Sequence, residues 1–107
     1  MITKRAKAAV MLAIQEELKN CTAAYDYQFH SLHEAESVLL EELQEVSTEQ
    51  RKVWEGWNHL HKCVRENDVE QAVILANAME QAAERVMMEA AQVAACAKKL
   101  QRGTVIV

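Results

Sequence analysis

Residues 76–100 read ANAMEQAAERVMMEAAQVAACAKKL, and apolar side chains recur there at alternating spacings of three and four. This repeat keeps one apolar line facing a neighbouring helix, as in a left-handed coiled coil. One position of the repeat is always alanine and the other is always larger: Ala76, Ala83, Ala90 and Ala97 alternate with Met79, Val86, Val93 and Leu100. Small residues let two backbones approach closely, so we expect the seam of a tight, antiparallel helix pair.

The composition of the whole chain is that of long helices. The 107 residues include no proline and two glycines, Gly56 and Gly103. Alanine, glutamate, glutamine and leucine dominate, which is typical of helical proteins and not of strand-and-turn folds. We expect a single helical domain over residues 1–103, followed by a short apolar tail, 104–107, that is flexible or adds to a partner.

The first predicted helix is long. Thr3 can cap it, and helical periodicity continues to about Val46, which sets its range at about 3–46. Its apolar stripe slips by one residue between Gln28 and Phe29 before it resumes. We interpret the slip as a change from narrow to broader packing within one helix.

Two further helices follow from capping patterns. Ser47 and Gln50 have the spacing of a capping box, so the chain is expected to turn at 46–48 into a short helix over about 48–66. Asn67 and Asp68 form the next boundary, and a second long helix covers about 68–102. The fold class is therefore all-α. It is a three-helix bundle if this boundary reverses the chain, which we favour, or a long antiparallel hairpin if it only kinks.

The charge distribution bears on possible partners. A net charge of −4 argues against a protein that binds nucleic acid by general electrostatics. The basic residues gather near the two chain ends, at Lys4, Arg5, Lys7, Lys98, Lys99 and Arg102. If these ends meet, they could form the patch of a dimeric helical nucleic-acid-binding regulator, which we keep as an alternative.

The cysteines and the hydropathy bear on the cellular compartment and on membrane association. Cys21, Cys63 and Cys96 are odd in number and lack CxxC spacing, so they predict no disulfide framework and suit a reducing, cytoplasmic compartment. The chain has no apolar run of about 18 residues, so no membrane association is expected.

A metal site is a second alternative. If the chain turned at 47, His33 would lie level with His61, and His30 would lie near Cys63. Imidazole and thiolate could then hold zinc in a metal-binding helical bundle. The spacing matches no established zinc signature, so no cofactor is predicted. No phosphate loop or nucleophile motif occurs either, and we expect no enzyme.

The remaining features favour binding to another protein. The last helix is apolar well beyond its seam, and methionine supplies adaptable contacts. Trp54 could be an exposed anchor, whereas Trp57 is expected in the core. The predicted partner-binding residues are Trp54, Met79, Val86, Met87, Met88 and Val93. We expect a small cytoplasmic adaptor or chaperone-like module that binds a helical protein by coiled-coil or helix-groove contacts, and a homodimer.

Overall fold

The computed structural model describes residues 2–24 and 26–105, with residues 23 and 24 described by their backbone alone. This part of the chain contains three α-helices and no strand: α1 is Lys4–Ala24, α2 is Leu32–Glu66 and α3 is Val69–Leu100. The predicted all-α class is confirmed. No helix in these residues is long and apolar enough to cross a membrane.

Side chains cap the first two helices. The amide of Ala6 donates to Thr3 Oγ1 at 3.1 Å, so Thr3 caps α1 as predicted. At the start of α2, the amide of Glu34 donates to Ser31 Oγ at 3.1 Å. These bonds satisfy amides in a helical first turn, which have no partner within the helix.

The predicted turn at 46–48 is wrong. Helix α2 continues without interruption from Leu32 to Glu66, and the chain instead leaves its first helix after Ala24. Within α2, the hydroxyl of Thr48 donates to the carbonyl of Gln44 at 2.9 Å, so a residue of the expected turn is accommodated inside the helix. The slip at Gln28 and Phe29 therefore marked the real end of the first helix.

The predicted boundary at Asn67 and Asp68 is confirmed, and it reverses the chain. Asn67 has a φ of 52°, and the amide of Asp68 donates to the carbonyl of Cys63 at 2.9 Å. The amide of Asn67 also donates to the carbonyl of Val64 at 3.3 Å, which completes the pair of bonds of a Schellman motif. Asp68 then caps α3 by accepting from the amide of Gln71 at 3.1 Å.

The chain forms two compact units. Unit 1 consists of Met1–Leu43 and Glu89–Val107, and unit 2 consists of Gln44–Met88. Each unit contains a segment of α2 and an antiparallel segment of α3, and unit 1 also contains α1. The single domain predicted for 1–103 thus remains a prediction.

Unit 1 is built around Phe29, whose side chain is only 1 % exposed. Ala35 and Cys96 complete the buried cluster, and Val38, Leu39 and Leu100 pack against it. The ammonium of Lys99 lies 4.6 Å from the centre of the Phe29 ring, although Lys99 itself is buried. This cation–π contact partly compensates for removing a charge from water.

The last described residues belong to unit 1. Gly103 has a φ of 78°, which suits the residue that follows a helix, as predicted from the sequence. The amide of Val105 donates to the carbonyl of Phe29 at 2.9 Å, so the described part of the predicted flexible tail is hydrogen-bonded to this chain. Residues 106 and 107 of that tail, and Tyr25, lie outside the described residues.

In unit 2, α2 and α3 pack tightly where Gly56 faces Met79. A Cβ atom at Gly56 would overlap Met79 Cγ and lie 3.1 Å from its Sδ, so the absence of a side chain allows this approach. On the same pair of helices, Glu49 accepts from Arg85 at 2.9 Å and from Lys52 at 3.0 Å. The bond from Arg85 is the main reason that the pKa of Glu49 is lowered.

The predicted seam of α3 is half correct. Its larger residues, Met79, Val86, Val93 and Leu100, are partly buried, but its alanines, Ala76, Ala83, Ala90 and Ala97, are all exposed. The second line of buried or partly buried positions lies one residue earlier, at Leu75, Ala82, Glu89 and Cys96. Both choices are repeats of three and four residues. Glu89 makes the observed one less apolar, so hydrophobicity alone favours the wrong side of the helix.

Candidate protein-binding surface

The packed line along α2 determines which side chains of unit 2 face outward. On α2 this line runs through Glu49, Val53, Gly56, Leu60 and Cys63, all partly or fully buried. Residues one position beyond a line of this kind lie on one flank of the helix, and residues one position before it lie on the other. The two helices of unit 2 therefore share two open faces.

The first of these is apolar and is called here the aromatic face. Its apolar residues are Trp54, Trp57 and Val64 on α2 and Val73, Ala76, Ala83 and Met87 on α3, and the polar residues Gln50, His61 and Glu80 lie on the same flank. A shallow groove beside the turn is lined by Val64, Val73 and Ala76 together, which places the two helices' contributions on one side. Every side chain of the aromatic face is exposed.

The opposite face, called here the polar face, carries charged and polar residues. Lys52 and Arg85 lie on it, joined through Glu49. A second groove near the turn is lined on this side by His59, Lys62 and Gln71. The tryptophans therefore distinguish the aromatic face, since the polar face also carries two exposed large apolar side chains, Ile74 and Met88.

The tryptophans dominate the aromatic face. Trp54 is 61 % exposed and Trp57 is 51 % exposed, and they lie one turn apart on α2. The predicted exposure of Trp54 is confirmed, and the predicted burial of Trp57 is wrong. Exposed tryptophan pairs are costly to leave in water and are enriched among residues that anchor protein interfaces.

The other predicted partner-binding residues divide into three groups. Met87 lies on the aromatic face and is 63 % exposed, whereas Met88 is 65 % exposed but points to the other side of α3. Met79, Val86 and Val93 are partly buried in the packing of α3. The structure therefore places Trp54 and Met87 on the same face of unit 2, and it does not place the full predicted set there.

Sequence reasoning missed five apolar members of the aromatic face: Trp57, Val64 and Val73, together with Ala76 and Ala83, which were assigned to the seam. A signal for them exists, because Trp54, Trp57, His61 and Val64 repeat at spacings of three, four and three along α2. This second line is visible only once the packed line of the same helix is known.

The predicted metal ligands are not assembled by the described residues. His33 and His61 lie on the single continuous helix α2, about eight turns apart, so the antiparallel pairing proposed for them does not form. His30, His33 and His61 are exposed, and Cys63 is buried. Zinc binding by these residues stays an untested prediction, without the turn that motivated it.

The pKa values of two side chains in unit 1, His30 and Cys96, are raised. His30 forms an ion pair with Asp26 in the segment between α1 and α2, and the hydrogen bond to Asp26 raises the pKa of His30. Burial raises the pKa of the Cys96 thiol to about 11. A thiol that stays protonated is a poor nucleophile and a poor metal ligand, so Cys96 acts as a small core residue.

The basic residues at the chain ends do not form the predicted patch. Lys4 is separated along α1 by about 25 Å from Cys21, the α1 residue that contacts Lys99. Arg102 is engaged within unit 1, where it stacks 3.9 Å from the Tyr27 ring and donates to Thr22 Oγ1 at 2.9 Å. The geometry therefore lends no support to the nucleic-acid alternative.

Comparison with known proteins adds no further constraint. No protein-family model, no curated protein and no solved structure matches this chain.

Proposed function

We propose that this chain is a helical protein-binding module, of the adaptor or chaperone-like kind, that binds helices of another polypeptide through the aromatic face. The observation that carries the proposal is the pair of exposed tryptophans, which stand among exposed valine, alanine and methionine side chains on a face whose polar members are Gln50, His61 and Glu80. Contiguous exposed apolar side chains rimmed by polar ones mark interaction surfaces.

The shape of the aromatic face suits a helical partner. Its largest side chains lie on α2. On the neighbouring surface of α3, the side chains of Ala76 and Ala83 are small and project little from the helix. An amphipathic helix laid along α3 could approach these alanines closely and pack its apolar side chains against Trp54 and Trp57. The contacts would be those of helix-groove or coiled-coil packing, with spacings of three and four residues.

The cysteines support a reducing compartment as part of the same proposal. Cys21, Cys63 and Cys96 are all free, and two of them are buried. Buried thiols that contribute to packing are compatible with the cytoplasm, where they stay reduced.

Adjacent methionines of α3 provide a matched test of the binding surface. Met87→Glu places a charge on the aromatic face, and Met88→Glu places the same charge on the other side of α3 at nearly equal exposure. The tagged wild-type chain and the Met88→Glu variant should recover the same helical partner from a lysate. Met87→Glu, and separately Trp54→Glu with Trp57→Glu, should lose it.

Circular dichroism controls for folding, because all four substituted side chains are exposed and each variant should retain the wild-type helix content. Mass spectrometry identifies the recovered protein. Equal recovery by the Met87→Glu and Met88→Glu variants would show that the aromatic face is not the binding surface.

A further inference from the structure

We infer that the partner seated on the aromatic face is the same face of a second copy of this chain. The inference rests on the proposed function, since it names the helices that this surface binds. It is carried by charged residues along the two outer edges of unit 2, which complement one another only between copies.

The two edges carry opposite charges at the same spacing along their helices. The outer edge of α2 presents Arg51, Asn58 and Arg65, and the outer edge of α3 presents Glu70, Asn77 and Glu84. Within each set the residues are seven positions apart, so they lie on one side of their helix, and all six are exposed. None of the four charged residues has an ion-pair partner among the described residues.

The edges also match in height. Gly56 precedes Asn67 by eleven positions and Met79 follows Asp68 by eleven, and they are in contact, so residues equally far from the turn lie level. By this rule Arg51 is level with Glu84, sixteen positions from the turn, and Arg65 is level with Glu70, two positions from it. Within one chain they cannot pair, because the edges point away from each other.

A two-fold axis parallel to the helices brings the edges together. Such an axis places α2 of one copy over α3 of the other. The position of each residue along the helix axes is the same in both copies. Arg51 then lies over the partner's Glu84, Arg65 over the partner's Glu70, and Asn58 over the partner's Asn77. The alternative two-fold, perpendicular to the helices, places the arginine edge on itself. Like charges in that arrangement repel, so the charges select the first axis.

The side chains of the aromatic face interleave in the selected arrangement. Counted from the turn, Trp57 lies at ten positions and Trp54 at thirteen, whereas Ala76, Glu80 and Ala83 lie at eight, twelve and fifteen. In height, Trp57 therefore falls midway between the partner's Ala76 and Glu80, and Trp54 falls between the partner's Glu80 and Ala83. The partner's Glu80 falls between the two indoles, whose N–H groups can donate to its carboxylate.

Charge exchange tests both the partner and the axis. We expect the full chain to have twice its mass of 12.1 kDa by light scattering. One variant carries Arg51→Glu and Arg65→Glu, and the other carries Glu70→Arg and Glu84→Arg. The self-association of each variant should be weaker than that of the wild type by about tenfold or more. An equimolar mixture of the two variants should recover the dimer, because every edge then meets its opposite.

The control is Lys62, which lies one turn before Arg65 and closer to the polar face of α2, away from the proposed partner. Lys62→Glu should leave the dimer intact, whereas Arg65→Glu alone should weaken it. Tryptophan emission gives a second measurement, since dilution of the wild type should shift it to longer wavelength as the indoles return to water. Circular dichroism at each step confirms that the variants remain helical.

Three outcomes would overturn the inference. They are a monomeric wild type at tens of micromolar concentrations, an inert mixture of the two charge variants, or an equal effect of Lys62→Glu and Arg65→Glu. A monomer that still binds another helical protein through Trp54 and Met87 would contradict the inference that the partner is a second copy, but it would support the proposed function. A monomer that binds no such protein would contradict both the inference and the proposed function.

Discussion

At the scale of single residues, Gly56 has the clearest packing role. Glycine inside a helix costs about 1 kcal/mol relative to alanine, but here it leaves room for the side chain of Met79. The favourable close approach and the unfavourable helix propensity oppose each other at one position. Their balance can be measured, because the neighbouring side chain can be removed separately.

We expect Gly56→Ala to lower the free energy of unfolding by about 1 kcal/mol, since overpacking costs about 1–3 kcal/mol and helix propensity returns about 1. In a Met79→Ala background the same change should instead stabilise, by up to about 1 kcal/mol. Urea unfolding of the four proteins in this double-mutant cycle gives both values. If Gly56→Ala stabilises equally in both backgrounds, the contact with Met79 does not constrain the helices.

The rotation of about 100° between successive helical residues also explains why the binding surface was only partly predictable. Choosing Ala76 in place of Leu75 as a packed position moves one of the two packed lines of α3 by about 100° and leaves the other, through Met79 and Val86, in place. Trp54 and Met87 were expected at a partner surface for their chemistry and are indeed exposed. Trp57 was expected in the core because large aromatic side chains are usually well buried, and its repeat with Trp54, His61 and Val64 can be assigned to the outside only once the packed line of α2 is known.

At the scale of elements, two serines with the same capping pattern behave differently. Ser31 and Ser47 are each followed three residues later by Glu or Gln, but only Ser31 begins a helix in the described structure. Around Ser47 the packed line of α2 continues on both sides, through Val46 and Val53, so tertiary contacts favour an unbroken helix. A local pattern therefore predicted the cap chemistry correctly at Asp68 and wrongly at Ser47.

This difference predicts the effect of matched substitutions. Ser31→Ala should lower the free energy of unfolding by about 1 kcal/mol, because the amide of Glu34 loses its partner. Ser47→Ala should be neutral or should stabilise by about 0.5 kcal/mol, since alanine favours a helix interior. Urea unfolding of both variants measures the effects. A larger loss at Ser47 than at Ser31 would indicate a helix start at 47.

At the scale of the whole chain, the helices differ in how much support they receive. All side chains from Ile2 to Ala13 are exposed, so the first half of α1 makes no buried contact in the described structure, whereas Glu17, Leu18 and Cys21 are partly buried. Helical segments of about ten residues without tertiary contacts are marginal in water. The class of fold was readable from composition and periodicity, but this uneven support was not, because it depends on which helices meet.

We expect the amides of the first half of α1 to exchange with solvent much faster than those of α3 near Ala82, which is buried. Hydrogen exchange followed by mass spectrometry of peptides from residues 4–13 and 78–88 provides the comparison. Strong protection of residues 4–13 in the isolated chain would mean that another surface covers them.

The turn at Asn67 and Asp68 also limits how the length of this protein can change. Contacts in unit 2 join residues that are equally far from the turn, as Gly56 and Met79 are. Inserting or deleting one residue in either helix would displace every contact beyond that point and rotate the remainder of the helix. Length variation that preserves the packing must therefore occur in paired blocks of seven residues, one in each helix. Homologues, in this respect, should differ in length by multiples of fourteen between these helices or vary only outside them.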